Sequence, residues 1–265
     1  MKRRARQTLV ALALALAVAS TLTPTIGGVG ATAQGEVQVS TRGIEVSSLP
    51  ERKVPGPSRS TGTYTARILV TTPIRRRPGK PATEWLARTT TKWSGDSQKL
   101  MVLRSRRVDG KTWLKVRLPT RPNGSGGWLP RDRVILGHSH YFILIDTSRR
   151  RLWLYRSGRK AATWRVVVGA PATPTPTGLF ALYDRVKQKD PHGFIGPWAV
   201  PLTAHSNKLR RYDGGPGLVA IHGRDGASLL DPLGTAASHG CIRMNNSRVR
   251  RLIGTSMGTA VKVRR

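Results

Sequence analysis

The stretch Leu218–Asn246, LVAIHGRDGASLLDPLGTAASHGCIRMNN, decides how this 265-residue chain is read. It opens as an apolar strand ending at His222, passes through a polar stretch, and reaches the only cysteine of the chain, Cys241. A lone Cys can be a buried small hydrophobe, a metal ligand or a nucleophile. The residues around this one favour a nucleophile. His239 lies two residues before it, and His222 ends the preceding strand. Arg243, two residues on, shares its side if the backbone is extended. Asn246 can cap a short helix, Ser247 to about Ile253, whose positive dipole end faces back towards the thiol. These neighbours predict a thiol biased towards thiolate, in a Cys-His site. Gly240 lets a substrate backbone approach, or lets the turn take positive φ.

From the residues alone, His222 and His239 are level as the base. Asp225 and Asp231 are possible third members of a triad, and a backbone carbonyl could equally orient the imidazole. The N–H groups of Gly240 and Cys241 are candidate oxyanion donors. A Zn²⁺ site of Cys241, His222 and His239 would have three ligands and no second Cys, so no metal is expected.

Working outward, the N-terminus reads as an exported protein. Lys2, Arg3, Arg4 and Arg6 precede an apolar run, Leu9–Ala19, and then Ala31-Thr32-Ala33. That order predicts a cleavable signal peptide over residues 1–33, with a retained anchor as the alternative. Export leads to an oxidising compartment where structural cysteines pair, so an unpaired one calls for another explanation. The 46 Lys and Arg against 13 Asp and Glu, a net charge of +33, draw the chain to polyanions. Outside the cytoplasm those are anionic wall polymers and acidic headgroups rather than nucleic acid, and the spread of Arg along the chain also fits a general compositional bias.

Residues 34–60 read as a flexible linker. Residues 61–138 read as short strands in a small β-barrel, with hairpin turns at Asp109-Gly110 and Asn123-Gly124. WLARTTTKW, residues 85–93, fits no single period. The region resembles a bacterial SH3-like domain, in which a late Gly-Trp pair, here Gly127-Trp128, precedes the last strand. From residue 139 to 265 a second series of strands follows, alternating well in Arg151–Tyr155 and Thr163–Val166 and turning at Ser148 and Ser157-Gly158. Residues 184–217, with Trp198, His205 and Tyr212, read as one long functional loop. A last strand, Thr259–Val263, closes the chain.

At residues 140–264 the chain resembles the YkuD-type L,D-transpeptidases. His222-Gly223, a spacer, then Ser238-His239-Gly240-Cys241-Ile242-Arg243 match the family signature, and the upstream Thr173–Gly178 with Gly169 is also typical. The resemblance implies a mostly β, sandwich-like catalytic domain with Cys241 at the floor of a cleft. Cys241 would attack the L-centre carbonyl of a peptidoglycan tetrapeptide stem, releasing D-Ala and forming a thioester. An amine of a second stem would then give a 3→3 cross-link, or water would give L,D-carboxypeptidase activity. His222 would be the base, oriented by the Gly223 main chain, with His239 placing substrate or supporting the oxyanion beside Gly240. Arg243 would bind a substrate carboxylate, Ser238 would support the turn and line the substrate site, and Tyr212 or Trp198 would face substrate under a lid formed by 184–217. No cofactor is implied. Donor and acceptor stem peptides would be the partners, carbapenem β-lactams the inhibitors, and the chain a monomer at the cell wall.

The competing reading is a non-catalytic wall-binding protein, which has no need of both His222 and Cys241. A papain-like or NlpC-type peptidase is a weaker reading, because those place Cys before His in the chain.

Overall fold

Alternating apolar segments separated by turn residues become strands from one end of the described chain to the other. The computed structural model describes residues 53–212 and 214–265. The expected signal peptide and residues 34–52 of the expected linker lie outside the described residues.

Residues 63–139 contribute β1 (Thr63–Ile68), β2 (Thr72–Arg75), β3 (Ala82–Ala87), β4 (Lys99–Val108), β5 (Lys111–Arg117), β6 (Gly126–Pro130) and β7 (Val134–Ser139). They form one antiparallel sheet in the order β3-β2-β6-β5-β4-β1-β7. Its curved face encloses a core of its own, built on Ala66, Ile68, Ile74, Leu100, Val102, Leu114, Val116 and Leu129. Asp109-Gly110 turns the β4–β5 hairpin with φ of +49° and +71°, the double positive that a right-twisted hairpin requires. Asn123-Gly124 sits instead in the longer β5–β6 connection. The unassigned 85–93 segment divides: Trp85–Ala87 end β3, and the rest forms a turn closed by Thr91 N–H donating to Asp96 O. The linker reading of 53–60 is corrected. Val54 is buried in this core, and its N–H donates to Ser105 Oγ at 2.8 Å.

Residues 141–264 contribute β8 (Tyr141–Asp146), β9 (Arg151–Arg156), β10 (Arg159–Arg165), β11 (Val168–Gly169), β12 (Gly178–Ala181), β13 (Val186–Lys187), β14 (Trp198–His205), β15 (Leu218–His222), β16 (Ala236–Ser238), β17 (Ile242–Arg243), α1 (Asn246–Ile253) and β18 (Ala260–Arg264). One sheet runs β10-β9-β8-β18-β12 and another β13-β14-β15-β17, with a small parallel pair β11-β16. One core lies between the two larger sheets. It joins Ile143, Ile145, Leu152 and Leu154 to Val200, Leu202, Ile221, Ile242 and the α1 residues Val249 and Leu252. This is the expected β-sandwich-like arrangement. The single long loop expected over 184–217 is not found: β14 runs through its middle with every residue from Ala199 to His205 buried. Its Pro201 and the irregular register with β15 hid the strand from a reading by alternation.

The two β units meet across several hydrogen bonds. Asp184 is fully buried and accepts from Trp93 N–H (3.1 Å), Ser94 N–H (3.4 Å), Ser94 Oγ (2.6 Å) and its neighbour Arg185 N–H (2.7 Å). Thr63 Oγ1 accepts from Ala260 N–H at 3.0 Å, and the Ser139 and Thr259 hydroxyls pair at 2.7 Å. Asp184→Ala therefore leaves several donors unsatisfied and is expected to cost about 2–4 kcal/mol in urea unfolding, against about 1 kcal/mol for Ser94→Ala. Equal losses for the two variants would show that the carboxylate is not the organising group.

Candidate active site

Parallel pairing of β15 with β17 sets the site. Ile221 is in register with Ile242 and His222 with Arg243. Cys241 therefore falls opposite Ala220, whose N–H donates to Cys241 Sγ at 3.5 Å. Ala220 and His222 are two residues apart on one strand and so share a face, which brings the thiol and the imidazole to the same place. His222 is buried, and its Nδ1 lies 2.7 Å from Gly223 O. A carbonyl can only accept, so Nδ1 carries the proton and Nε2 keeps the lone pair, the tautomer a general base needs.

The third member is thus the Gly223 carbonyl and neither aspartate. Asp225 caps the 3₁₀ turn Gly226–Leu230 in a reciprocal box with Ser228. Asp231 is ion-paired with Arg243. Gly223 is itself held by donating its N–H to Trp198 O (3.1 Å), and a Cβ there would lie 2.2 Å from Asn246 Oδ1. That oxygen accepts Arg224 N–H at 2.8 Å. Asn246 was expected to cap α1. Asn245 is the N-cap, without a side-chain bond, and the Asn246 side chain secures the residues after the base instead.

The turn before the nucleophile is fastened from inside. Ser238 is buried, donates from Oγ to Cys241 O (2.6 Å) and accepts from Gly240 N–H (3.2 Å). Its support of the turn is as expected, but a buried hydroxyl with two internal partners does not line the substrate site. Gly240 takes φ +120°, a conformation that L side chains rarely adopt. Since its N–H is already used by Ser238, it is not a free oxyanion donor, and the Cys241 N–H is left for that task. The Thr173–Gly178 segment wraps this turn: Thr173 Oγ1 donates to Ser238 O (3.1 Å), and Thr175 Oγ1 donates to Gly240 O (2.9 Å). Thr173 and Thr175 carry no signal of this role in their local pattern, because their partners lie 65 residues away.

His239 is exposed, with its ring 5.2 Å from that of Tyr212 and its Nδ1 3.4 Å from the Tyr212 hydroxyl. The two form a pair at the lip, apart from the base. Trp198, by contrast, packs against the core. Arg243 is buried, bonded to Asp231 and stacked on Phe194 at 4.6 Å. Sequence reading missed Arg224, which is also buried and donates to Leu229 O at 3.0 Å. The Nε atoms of both arginines are buried without a hydrogen-bond partner.

Electrostatics correct one expectation. Burial pushes the Cys241 thiol up from its ordinary value, against smaller downward effects from the Ala220 N–H and Arg243. Burial also lowers His222 to about 4, opposed by the Gly223 carbonyl, assisted by Arg243, and opposed again by the Ile195 carbonyl. The resting pair is therefore thiol and neutral imidazole, not thiolate and imidazolium. The Arg243 charge effect legible in sequence is real in direction, but desolvation outweighs it. Among the described residues no group of three or more His, Cys, Asp or Glu is placed to hold a metal.

A thiol beside a carbonyl-oriented neutral imidazole, at the end of paired strands, is the constellation of a cysteine acyl-transfer enzyme. Comparison with known proteins gives the family. Residues 140–263 match the YkuD family, the L,D-transpeptidase catalytic domain. The chain is 29% identical over 169 residues to the YkuD protein of Bacillus licheniformis, covering 61% of this chain and 92% of that one. It is 31% identical over 126 residues to the YkuD protein of Bacillus subtilis, covering 47% and 66%. The solved catalytic domain of the E. faecium L,D-transpeptidase aligns with a TM-score of 0.36 and 24% identity, covering 48% of this chain and all of that one. Residues 140–263 thus carry a YkuD-type L,D-transpeptidase catalytic domain, the domain of an enzyme.

The buried imidazole makes a stability prediction. In the unfolded chain His222 titrates near the ordinary value of about 6.5, and in the folded chain at about 4. Between those values the unfolded state binds more protons, so the stabilisation is present above about pH 6.5 and lost as pH falls towards 4, by on the order of 3 kcal/mol. Urea unfolding of wild type and His222→Gln across pH 4–7 should show this slope diminished in the variant. An unchanged slope would place the titration elsewhere.

Proposed function

We propose that the enzyme acylates Cys241 with a peptidoglycan tetrapeptide stem, releases its terminal D-Ala and passes the acyl group to an amine of a second stem, forming a 3→3 cross-link. The observation that carries this is the His222 tautomer, set by Gly223 O, together with the register that puts Cys241 opposite Ala220, on the strand face that His222 shares. Because the thiol is held up by burial, His222 removes its proton as the sulfur attacks the L-centre carbonyl. The oxyanion is met by the Cys241 N–H, and the imidazolium then protonates the departing D-Ala amine. In the second half His222 deprotonates the incoming amine, which displaces the thiol. Water in its place would give carboxypeptidase activity. Arg243, with Asp231 already on it, receives a substrate carboxylate by exchange rather than as a free cation.

We also propose that the protein acts outside the cytoplasm, as the N-terminal sequence implies, and that the 61–138 unit is SH3-like. The antiparallel sheet and the Gly127-Trp128 pair in β6 support that assignment. A Cβ on Gly127 would lie 2.1 Å from Ile74 Cγ2, so the close strand packing there requires glycine.

A carbapenem tests the acyl step, since its strained carbonyl is an acyl donor for any competent thiol. Intact mass after incubation should show one adduct on the parent protein and none on Cys241→Ala. Muropeptide analysis with tetrapeptide substrates should then show 3→3 dimers, lost at least 10³-fold in His222→Ala. Tripeptides without dimers would establish the hydrolytic alternative.

A further inference from the structure

The connection from Ser206 to Gly217, residue 213 apart, carries Tyr212 to the lip of the active site, where it stacks on His239. Its support comes from the other β unit, across some 82–95 residues of sequence. Arg121, in the β5–β6 connection, donates from one guanidinium nitrogen to Ser206 O at 2.8 Å. The other reaches Leu209 O at 3.1 Å and Pro216 O at 3.4 Å. One side chain thus ties both arms of the connection and its root. Asn123 takes both backbone groups of His205, accepting from its N–H at 2.8 Å and donating to its O at 2.7 Å, and also donates to Asn207 Oδ1 at 3.0 Å. This copies a strand ladder at the end of β14. Gly217 closes the base with φ +68°: a Cβ there would meet Leu209 O at 2.2 Å and the Arg121 guanidinium at 3.2 Å. Within the connection, Ser206 N–H donates to Gly217 O, while Tyr212 and Gly215 exchange backbone bonds at 2.9 and 3.1 Å. The tip carrying Tyr212 is thus internally paired, and Arg121 and Asn123 supply external hydrogen bonds that fix its arms.

We propose that Arg121 and Asn123 of the N-terminal β unit are positioning residues for the active-site lip, holding Tyr212 over His239 so that the cleft meets the stem peptide in one geometry. This gives the N-terminal unit a part in substrate selection that does not depend on its binding any wall polymer. The proposal deepens the transpeptidase reading and rests on it in one respect, that the Tyr212–His239 pair contacts the stem.

Four measurements on the full chain test it. Hydrogen–deuterium exchange of peptides spanning 206–217 should be faster in Arg121→Ala and faster still in Arg121→Ala/Asn123→Ala, with exchange of β14 and β15 unchanged. Alkylation of Cys241 by iodoacetamide should keep its wild-type rate within about twofold, since the small reagent does not use the lip. KM for a tetrapeptide should rise about tenfold in Arg121→Ala with kcat within about threefold, a loss in keeping with one or two hydrogen bonds. Tyr212→Ala should raise KM similarly, and Arg121→Ala/Tyr212→Ala should be no worse than the worse single variant. Arg121→Lys should recover part of the loss.

Unchanged exchange at 206–217, or additive effects of Arg121 and Tyr212, would overturn the proposal. So would a fall in Cys241 alkylation matching the fall in turnover, because it would mean a general loss of structure. If the wild type turns over no tetrapeptide, the transpeptidase reading fails, and the exchange measurement still decides whether Arg121 and Asn123 hold the lip.

Discussion

The chemistry of this molecule hangs on a parallel ladder two residues long. Ile221 beside Ile242 and His222 beside Arg243 bring together His222 and Cys241, the proposed base and nucleophile, which lie nineteen positions apart in the chain. Adjacent parallel strands cannot be joined by a tight turn, so the chain must make a crossover between them. Here the crossover is the polar stretch from Gly223 to Gly240, and its length has consequences for the site. It supplies Gly223 O to orient the imidazole, Asp231 to pair with Arg243, and Arg224 to sit behind them. The spacer between the two halves of the motif therefore supplies part of the catalytic environment.

The ladder alone would not hold the nucleophile still. The turn Ser238–Cys241 passes through a glycine at φ +120° and is closed from below by Ser238 Oγ. Thr173 and Thr175 grip it from the side, each by donating to a main-chain carbonyl of the turn. Thr175 Oγ1 also accepts Gly169 N–H at 2.9 Å, which anchors the gripping segment to β11. Gly169 has no room for a side chain, since a Cβ there would fall 2.4 Å from Thr173 O. The prolines of 171–176 thus hold an extended strap whose hydroxyls do the fastening, and this explains why Thr and Pro alternate there.

What could be read from the sequence follows from which contacts are local. Hairpins such as Asp109-Gly110 and Ser157-Gly158 were legible because the turn residue and the conformation it permits are neighbours. The coming together of Cys241 and His222 was legible because their residue types and order are distinctive. Strand β14 was not, because a fully buried strand has no polar alternation and this one contains Pro201. The roles of Asn246 and Arg224 were hidden for another reason. Each depends on which way a side chain turns after distant strands have paired, and Asn246 next to a helix start reads as a cap until Gly223 is seen against it. The protonation of the pair was misread because proximity of charges can be counted in sequence, whereas desolvation requires the packed fold.

The buried arginine sharpens how the pair works. Arg243 lowers both the thiol and the imidazole pKa, so it assists the loss of the thiol proton and opposes its acceptance by His222. For transfer within the pair these two effects oppose one another, and Arg243 does little to drive it. Its positive charge favours added negative charge nearby, which in the proposed reaction would be a substrate carboxylate or the oxyanion of a tetrahedral intermediate. Asp231 offsets that charge. A fully buried carboxylate would do so permanently, but the Asp231 side chain is 34% exposed against 4% for Arg243. In the proposed reaction the carboxylate, as the partner with access to water, is the one that an incoming anion would displace. The ion pair keeps the buried guanidinium from standing alone, and the neutral Cys241–His222 pair adds no isolated charge beside it.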